Sequence, residues 1–365
     1  MAEHPDSLIS VADYEAAAEA VLVPGALGYY SGGAADEITM RDNLSAWARI
    51  AVRPRMLVGV GERDPSVTLL GRRRPHPLII APMAYQKLAH PDGELATAQA
   101  AAATATTMCL STFANVDIAE LAAAVPEVSR WFQLYVFSDR AITAELIAQA
   151  VENSYEALVV TVDLPVPGVR EREIRTRADA ASAHLVPAAA MGGLKAVKHT
   201  PTDFTSLIDP DLNWSDIERF AADCPLPVIV KGLLTPEDAA LAAEHGAQGI
   251  VVSNHGGRQL DTTLAAADAL PAIADAVGDR LSVIVDGGIR RGTDVLKALA
   301  LGAHAVMVGR PLLWGLSVGG ARGAEHVLAM LLGELDSALA LAGAPRAEQL
   351  DRRFVCPAPG AGHLR

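Results

Sequence analysis

The fold is decided by four short apolar runs in the second half of the chain: PVIVKG (227–232), GIVVSN (249–254), SVIVDGG (282–288) and AVMVGRP (305–311). Each run is hydrophobic throughout instead of alternating, which is typical of strands that are buried on both faces of a parallel sheet. Four earlier runs have the same character: PLIIAP (77–82), TMCLST (107–112), WFQLYV (131–136) and ALVVTVD (157–163). The sequence therefore predicts eight parallel strands.

Amphipathic stretches with helix-start signals lie between these strands. Asp139 precedes one such stretch, Thr235 precedes a second, and Asp294 lies in the first turn of a third. Eight strand–helix units in about 240 residues fit the size of a (β/α)8 barrel, the TIM-barrel form of the α/β class. An open doubly wound sheet is the alternative, and it is disfavoured because no G-x-G-x-x-G motif follows the first strand.

Segments at both ends and one internal connection lie outside this repeat. Residues 1–76 are predicted to form a helical N-terminal extension that packs on a barrel domain of residues 77–365. Residues 164–213, after strand four, form a connection of about 50 residues, far longer than a usual βα loop. Because loops after barrel strands lie on the catalytic face, we interpret this connection as lid-like. Residues 328–341 are predicted to form a closing helix.

The composition argues against several classes of protein. The chain has 365 residues, of which 51% are hydrophobic and 20% charged, and its formal net charge is −13. Such an acidic protein is not attracted to nucleic acid or to an anionic membrane surface. The three cysteines form no metal-ligand or disulfide pattern, the N-terminus lacks signal-peptide features, and the Ala-rich stretch 178–197 is too polar for a membrane span. We therefore expect a soluble, cytoplasmic protein without a metal site.

Polar side chains stand at the predicted carboxyl ends of the strands, where a barrel keeps its active site. Six of them would converge on one rim: Tyr135, Asp163, Arg170, Lys231, His255 and Arg258. His255 can accept a proton near neutral pH, Asp163 can stabilise its protonated form, and Arg258 can bind a carboxylate through two hydrogen bonds. A single histidine is more often structural, but so many charges on one face are costly unless a function uses them.

The last two strands end in glycine-rich turns that favour a phosphate site. Gly287-Gly288 and Gly309 would let backbone N–H groups approach an anion, and Arg290 and Arg310 can donate charge-assisted hydrogen bonds to its oxygens. Loops after strands seven and eight are a common phosphate position in barrels. The alternative is that these glycines merely form turns at the strand ends.

The chain resembles the family of FMN-dependent 2-hydroxy-acid oxidases and dehydrogenases, which includes glycolate, lactate and mandelate oxidases. The resemblance extends from Tyr29-Tyr30 to the C-terminal helix, and its most specific element is SNHGGRQLD at 253–261. The supporting motifs are GGAADEITMRDN (32–43), APMAYQKLAHPDGE (81–94), WFQLYV (131–136), TVD (161–163), VKG (230–232) and DGGIRRGTDVLKALALGA (286–303).

The resemblance implies FMN-dependent oxidation of an L-(S)-2-hydroxy acid to the 2-oxo acid by a homotetramer, with O2 reoxidising the flavin to give H2O2. His255 would take a proton from the substrate, paired with Asp163, while Tyr135 lies near the substrate hydroxyl and Lys231 stabilises negative charge on the flavin. The implied substrate-binding residues are Tyr29, Phe113, Tyr135, Arg170 and Arg258. The implied FMN-binding residues are Ala81, Pro82, Met83, Ala84, Ser111, Gln133, Thr161, Lys231, Ser253, Asp286, Gly287, Gly288, Arg290, Gly309 and Arg310.

Three positions differ from the family pattern. Phe113 stands where plant glycolate oxidases have Trp, which implies a different substrate pocket, and Met83 replaces a more usual Thr beside the flavin. The strand-four exit, DLPVPGVRERE (163–173), keeps Arg170 but lacks an adjacent arginine. Ala84 follows the pattern, since the small residue near the flavin is typically Ala in the family's oxidases and Gly in several of its dehydrogenases. This residue favours O2 as the electron acceptor.

Several alternatives stay open at this point. The same half-reaction serves dehydrogenases that use a quinone or another acceptor, and an FMN barrel can also act on a different substrate class or only bind a ligand. Arg170 and Arg258 favour a carboxylate substrate, and the presence of His255 and Lys231 argues against a non-catalytic scaffold. The residues do not decide between an aliphatic and an aromatic 2-hydroxy acid, nor between hydride and carbanion chemistry.

Overall fold

The computed structural model of the protein describes residues 7–176 and 204–359. Three short strands precede the barrel within these ranges: β1 (Ile50–Val52), β2 (Val67–Leu69) and β3 (Arg72–Arg74). The barrel strands are β4 (Leu78–Ile80), β5 (Thr107–Leu110), β6 (Arg130–Leu134), β7 (Leu158–Thr161), β8 (Val228–Leu233), β9 (Gly249–Val252), β10 (Ser282–Val285) and β11 (Ala305–Val308). One more strand, β12 (Val355–Pro357), follows them.

Each barrel strand pairs in parallel with its neighbour in chain order, and β11 pairs with β4 to close the barrel. One face of the strands fills the interior with a buried cluster that includes Ile79, Trp131 and Ile284. The alternate residues, such as Ile80 and Leu134, belong to a second cluster that joins the strands to the helices. Burial on both faces explains the continuous apolar runs. The predicted (β/α)8 barrel is confirmed, and the open sheet is excluded by the closure.

The helices of the described residues surround this barrel. They are α1 (Val11–Val21), α2 (Pro24–Ser31), α3 (Ile38–Ala48), α4 (Gly93–Ala103), α5 (Ile118–Ala124), α6 (Arg140–Glu152), α7 (Glu171–Thr176), α8 (Trp214–Asp223), α9 (Pro236–Glu244), α10 (Ala266–Val277), α11 (Gly292–Ala300) and α12 (Arg310–Ala342). The predicted start signals are confirmed, because the side chains of Asp139 and Thr235 accept hydrogen bonds from the first turns of α6 and α9. Asp294 lies in the first turn of α11.

The N-terminal extension is helical only as far as Ala48. After it, β1 pairs antiparallel with β12, and β2 and β3 form a hairpin whose turn contains Gly71 at a φ of 70°. The alternation of buried and exposed residues in β2 explains why this part is extended. Helix α3 brings the extension to the carboxyl ends of the barrel strands, where Trp47 Nε1 donates to the Gly287 carbonyl oxygen at 2.9 Å.

The C-terminal helix begins earlier than predicted. Helix α12 runs from Arg310 to Ala342, and its backbone is non-helical at Gly319 and Gly320. Gly320 has a φ of 58°, which an L-residue rarely adopts, so the helix is kinked there. The predicted closing helix at 328–341 is therefore the second part of a longer element whose first part follows β11.

The long connection after β7 is described only at its two ends. It contains α7 and a 3₁₀ turn at Phe204–Leu207, while residues 177–203, including the whole Ala-rich stretch 178–197, lie outside the described residues. In the described part of the chain, no helix is long and apolar enough to cross a membrane. The same part holds no cluster of three or more His, Cys, Asp or Glu side chains that could bind a metal ion.

Candidate active site

A cavity of about 970 Å³ lies at the carboxyl ends of the barrel strands, against helix α2. Two predicted site residues do not line it, and they lie behind residues that do: Asp163 contacts His255, and Ser253 contacts Lys231. All the other predicted residues line the cavity: Tyr29, Ala81, Pro82, Met83, Ala84, Ser111, Phe113, Gln133, Tyr135, Thr161, Arg170, Lys231, His255, Arg258, Asp286, Gly287, Gly288, Arg290, Gly309 and Arg310.

The geometry of a β-strand explains why these side chains meet. Residues two positions apart in a strand point to the same face, so a residue that follows an interior residue by two continues the interior face toward the rim. This step leads from the interior residues Cys109, Trp131, Val159, Ile229, Val251 and Ile284 to Ser111, Gln133, Thr161, Lys231, Ser253 and Asp286. The polar site is therefore the continuation of the apolar barrel filling.

His255 and Asp163 form a buried pair at one side of the cavity. His255 Nδ1 lies 2.8 Å from Asp163 Oδ1, and the two side chains are 20% and 12% exposed. His255 has a left-handed backbone, with a φ of 58°, and its N–H donates to Ser253 Oγ at 3.0 Å. Gly256 and Gly257 continue the turn with positive φ values, which glycine adopts without a Cβ penalty. The two glycines after the histidine therefore allow the tight turn that presents the imidazole to the cavity.

The surroundings set the protonation states of this pair. Burial lowers the pKa of His255, and this effect outweighs the opposing attraction of Asp163. Burial also acts to raise the pKa of Asp163, but the interactions with His255 and with the positive charge of Lys231 outweigh it and leave this pKa below its usual value. We therefore infer a neutral imidazole beside an ionised carboxylate near neutral pH, which is the state in which a histidine can accept a proton.

Tyr135 lies on the other side of the imidazole. Its Oη is 3.5 Å from His255 Nε2, and its ring stacks on Phe113 with the centroids 5.1 Å apart. Burial raises the pKa of Tyr135, so the hydroxyl stays protonated and can donate a hydrogen bond. A group that entered the cavity beside Nε2 would therefore meet a proton acceptor and a donor together.

Two guanidinium groups adjoin this pair. Arg170 Nε donates to the carbonyl oxygen of Arg258 at 3.1 Å, and Arg258 lies over the Tyr29 ring with its Cζ 5.0 Å from the centroid. Burial and the neighbouring charge of Arg170 lower the pKa of Arg258 to about 10. Two cations that line one cavity and repel each other favour an anion bound between them, and an arginine fork suits a carboxylate.

Helix α2 compensates part of this positive charge. Arg258 Nη1 donates to the carbonyl oxygens of Tyr29 and Gly32, and Arg310 donates to those of Tyr30 and Gly32. The last carbonyls of a helix lack partners within the helix and carry a partial negative charge. The end of α2 therefore stabilises the two arginines that the strand ends contribute.

Lys231 lies at the floor of the cavity in a buried network. Its Nζ is 3.0 Å from Ser253 Oγ and 3.3 Å from Asp286 Oδ2, and Ser253 Oγ donates to the same carboxylate oxygen at 2.9 Å. Burial acts to lower the pKa of Lys231, but the carboxylates of Asp286 and Asp163 outweigh this and raise it. The cavity floor therefore carries a fixed positive charge.

The predicted phosphate residues lie at the far end of the same cavity. Arg290 is partly buried and donates to the Ile289 carbonyl oxygen at 3.1 Å, while Arg310 Nη1 donates to the Gly256 carbonyl oxygen at 3.0 Å. Burial, with the charges of Arg258 and Arg290, lowers the pKa of Arg310 to about 9. This end of the cavity thus holds a second concentration of positive charge that an anion would stabilise.

Comparisons with known proteins identify the family. Residues 18–357 match the family described as FMN-dependent dehydrogenase. This chain belongs to that family. It is 46% identical to the L-lactate oxidase of Nostoc sp., over 96% of this chain and 98% of that protein. It is 42% identical to 2-hydroxyacid oxidase 1 of Homo sapiens, over 95% of this chain and 96% of that protein.

Solved structures of similar proteins have the same fold. A variant of mandelate oxidase with (S)-mandelic acid matches with a TM-score of 0.87 at 38% identity, covering 96% of this chain and 99% of that one. A variant of flavocytochrome b2 with pyruvate bound also gives a TM-score of 0.87, at 36% identity, covering 96% of this chain and 87% of that one. The predicted family, the FMN cofactor and the enzyme class, FMN-dependent oxidation of a 2-hydroxy acid, are confirmed.

The cavity of this family member contains buried polar atoms that fit FMN. Among the described residues, Gln133 Nε2, Thr161 Oγ1 and Asp286 Oδ1 are buried and have no hydrogen-bond partner. A buried polar atom without a partner costs about 1–3 kcal/mol, so a ligand with polar edges is favoured beside them. The ring and ribityl chain of FMN carry such donors and acceptors, and its phosphate would suit the positive far end.

Several further residues at the site were not predicted, among them Tyr85, Glu173 and Gln259. Tyr85 stacks on Phe113 with the rings 6.3 Å apart and nearly parallel, and Glu173 Oε2 lies 3.4 Å from Arg170 Nη1. Gln259 contacts both Arg170 and the exit of β7. Tyr85 and Gln259 belong to motifs that carry the family resemblance, so a signal existed for them, whereas no motif marks Glu173.

Proposed function

We propose that the protein oxidises the Cα–OH of an (S)-2-hydroxy acid with an apolar side chain to the 2-oxo acid, and that O2 takes the electrons and yields H2O2. The observation that carries the proposal is the His255–Asp163 pair beside Arg170 and Arg258 in one cavity. This arrangement unites a base with a site for a carboxylate, which are the two groups that a 2-hydroxy acid requires.

The side chains suggest how the substrate is held and deprotonated. Arg170 and Arg258 bind its carboxylate, with Tyr29 packed under the guanidinium of Arg258. His255 Nε2 takes the proton that the substrate loses, and the ionised Asp163 stabilises the resulting imidazolium. The protonated Tyr135 hydroxyl donates a hydrogen bond to the substrate oxygen near Nε2.

The remaining lining residues would hold FMN, which supplies a two-electron acceptor when it is bound. Lys231 places a positive charge at the cavity floor, where it stabilises negative charge. The residues that would contact the cofactor with Lys231 are Ala81, Pro82, Met83, Ala84, Ser111, Gln133, Thr161, Asp286, Gly287, Gly288, Arg290, Gly309 and Arg310. Ser253 would act behind them, because it anchors Lys231 and Asp286.

An apolar wall supports the proposed type of substrate side chain. Tyr85, Leu88, Phe113 and Leu164 line the cavity, and the Phe113 ring stacks on those of Tyr135 and Tyr85. A wall of this kind favours burial of a methyl or phenyl group over a charged one. The similar proteins named L-lactate oxidase and mandelate oxidase support both sizes of apolar group.

Two observations support O2 as the acceptor. Ala84 lines the cavity, and Ala at this position favours the oxidase form in the family resemblance. The similar proteins from Nostoc sp. and Homo sapiens are named as oxidases.

A homotetramer in the cytoplasm, and a lid-like role for residues 164–213, also stay predictions. Light scattering, fractionation and limited proteolysis with and without substrate would test them.

The decisive experiment mixes the purified flavoprotein without air with glycolate, lactate, mandelate and malate, and then admits air. Loss of the visible flavin absorbance with lactate or mandelate, followed by rapid recovery and peroxide formation, is the expected result. Slow recovery of the flavin absorbance in air would mean that the electron acceptor is a compound other than O2. A flavin that only malate reduces would refute the apolar side chain, and one that no 2-hydroxy acid reduces would refute the proposed reaction.

A further inference from the structure

The amide group of Gln259 spans two segments of the site. Its Nε2 donates to the carbonyl oxygens of Asp163 at 2.8 Å and Val166 at 3.3 Å. Its Oε1 accepts hydrogen bonds from Gly168 N at 3.3 Å and from Arg170 Nη2 at 3.1 Å. One side chain thus binds three backbone groups of residues 163–168 and the guanidinium of Arg170, and it satisfies both ends of its amide.

The orientation of Arg170 depends on this contact. Its Nε donates to the Arg258 carbonyl oxygen at 3.1 Å, and its Nη1 meets Glu173 only at 3.4 Å, near the limit of a hydrogen bond. Two of the three guanidinium nitrogens are therefore held by residues 258 and 259. Since a long arginine side chain has many rotamers, these two contacts fix the direction in which it presents its remaining hydrogen-bond capacity.

The two segments also touch directly through their backbones. A Cβ added at Gly168 would lie 2.5 Å from the Arg258 carbonyl oxygen and 2.6 Å from the Gln259 carbonyl oxygen. Glycine therefore allows the exit of β7 to lie against the turn that carries His255. The Gln259 amide then joins these two segments by hydrogen bonds.

An amide is suited to this position because it carries no charge. Arg170 and Arg258 repel each other, and an anchor is needed to keep them adjacent. Arg170 already lies 3.4 Å from the Glu173 carboxylate, and a carboxylate at position 259 would add a second negative charge that weakens the attraction for an anion. The amide oxygen holds the guanidinium without adding that charge.

We propose that Gln259 is a positioning residue for substrate binding. Its amide fixes the Arg170 guanidinium beside Arg258 in the orientation that binds the substrate carboxylate, and it joins the exit of β7 to the His255 turn. This inference rests on the proposed function, because it concerns how that site recognises a 2-hydroxy acid.

The test compares Gln259→Met and Gln259→Glu with the wild-type holoenzyme. Gln149→Met is the matched control, because Gln149 is a half-buried residue of α6 that does not line the cavity and donates its amide to Glu145. Gln259→Met keeps the chain length and removes all four hydrogen bonds. We expect KM to rise about tenfold or more while kcat changes less than about threefold, because ground-state binding of the carboxylate is lost. The affinity for the 2-oxo acid, titrated by the flavin spectrum, should fall by a similar factor. Gln259→Glu should raise KM at least as much, and Gln149→Met should change neither.

Unchanged KM and unchanged 2-oxo acid affinity in the Gln259 variants would overturn the proposal. Loss of FMN and of thermal stability, with kcat and kcat/KM falling in parallel, would overturn it too, because the role would then be structural. If Gln259→Met does not fold, the KM and the 2-oxo acid affinity of Gln259→Glu, compared with those of the wild type, test the proposal. A wild-type flavin that no 2-hydroxy acid reduces would instead refute the proposed function, and the 2-oxo acid titration keeps the two failures apart.

Discussion

Replacing Asp163 by Asn tests the base that we assign to the reaction. The Asp163 carboxylate lies 2.8 Å from His255 Nδ1 and is 12% exposed, so little water screens the pair. Asparagine keeps an oxygen that can accept the Nδ1–H hydrogen bond, and it removes only the negative charge. The imidazolium that forms when His255 takes a proton would then have no buried counter-charge.

The size of the effect follows from this burial. Removing one partner of a buried ion pair costs about 3–5 kcal/mol, and the lower end applies because the hydrogen bond survives. About 3 kcal/mol of lost imidazolium stabilisation corresponds to a roughly 150-fold slower proton transfer. The charge of Asp163 also raises the pKa of His255. Its removal therefore lowers that pKa further, and the acid limb of the rate profile should move to lower pH.

The assay is anaerobic stopped-flow reduction of the flavin by a saturating 2-hydroxy acid over a range of pH. The ratio of flavin to protein absorbance shows that FMN is bound, and Asp336→Asn is the control, since Asp336 is a half-exposed partner of Arg63. A reduction rate within about fivefold of wild type, with FMN bound, would refute the assignment of Asp163 as the counter-charge. An acid limb that moves to higher pH would refute the electrostatic reasoning.

Three further predictions follow from the same geometry. In the wild type, kcat/KM should rise with pH through the pKa of His255, which burial holds below its usual value, so the acid limb lies below neutral pH. A plateau reached only in alkaline solution would contradict this. Arg258→Lys keeps the charge but loses the fork, so KM should rise about 10–100-fold in steady-state assays with kcat less affected. In thermal denaturation, Gly288→Ala should lower the free energy of unfolding by about 2–4 kcal/mol, because the φ of Gly288 is 82° and a Cβ there would overlap the Asn43 carbonyl oxygen. Gly333→Ala is the control: a Cβ at Gly333 meets open space, so this variant should not be destabilised.

The barrel could be predicted from the sequence because its signal is local. Each strand is a short apolar run, and the residue two positions beyond an interior residue is the polar residue of the site, as Ser111 follows Cys109 and Lys231 follows Ile229. A period of two and the rule for barrel active sites are therefore enough to collect the rim residues. Neither the period of two nor the position of the active site at the strand ends depends on contacts between distant parts of the chain.

The features that the sequence did not predict depend on distant contacts. Strand β1 pairs with β12 across most of the chain, and each strand is only three residues long, so neither has a pattern of its own. Asp163 and Ser253 fall in the same pattern as the lining residues, yet they lie behind His255 and Lys231. Which residue lines a cavity and which supports it depends on side-chain packing that periodicity does not report.

The N-terminal extension shows the consequence of such contacts most clearly. Arg258 and Arg310 were predicted as anion-binding residues from motifs in the barrel alone, yet both donate to the Gly32 carbonyl oxygen at the end of α2. Without that helix end, the two partly buried guanidinium groups would repel each other, and only Arg310 would keep a backbone acceptor, the Gly256 carbonyl oxygen; such an arrangement is unfavourable. The partial negative charge of the helix end offsets part of that repulsion and still leaves the pair net positive. The extension is therefore a component of the site, because it allows the barrel to keep two anion-binding arginines side by side.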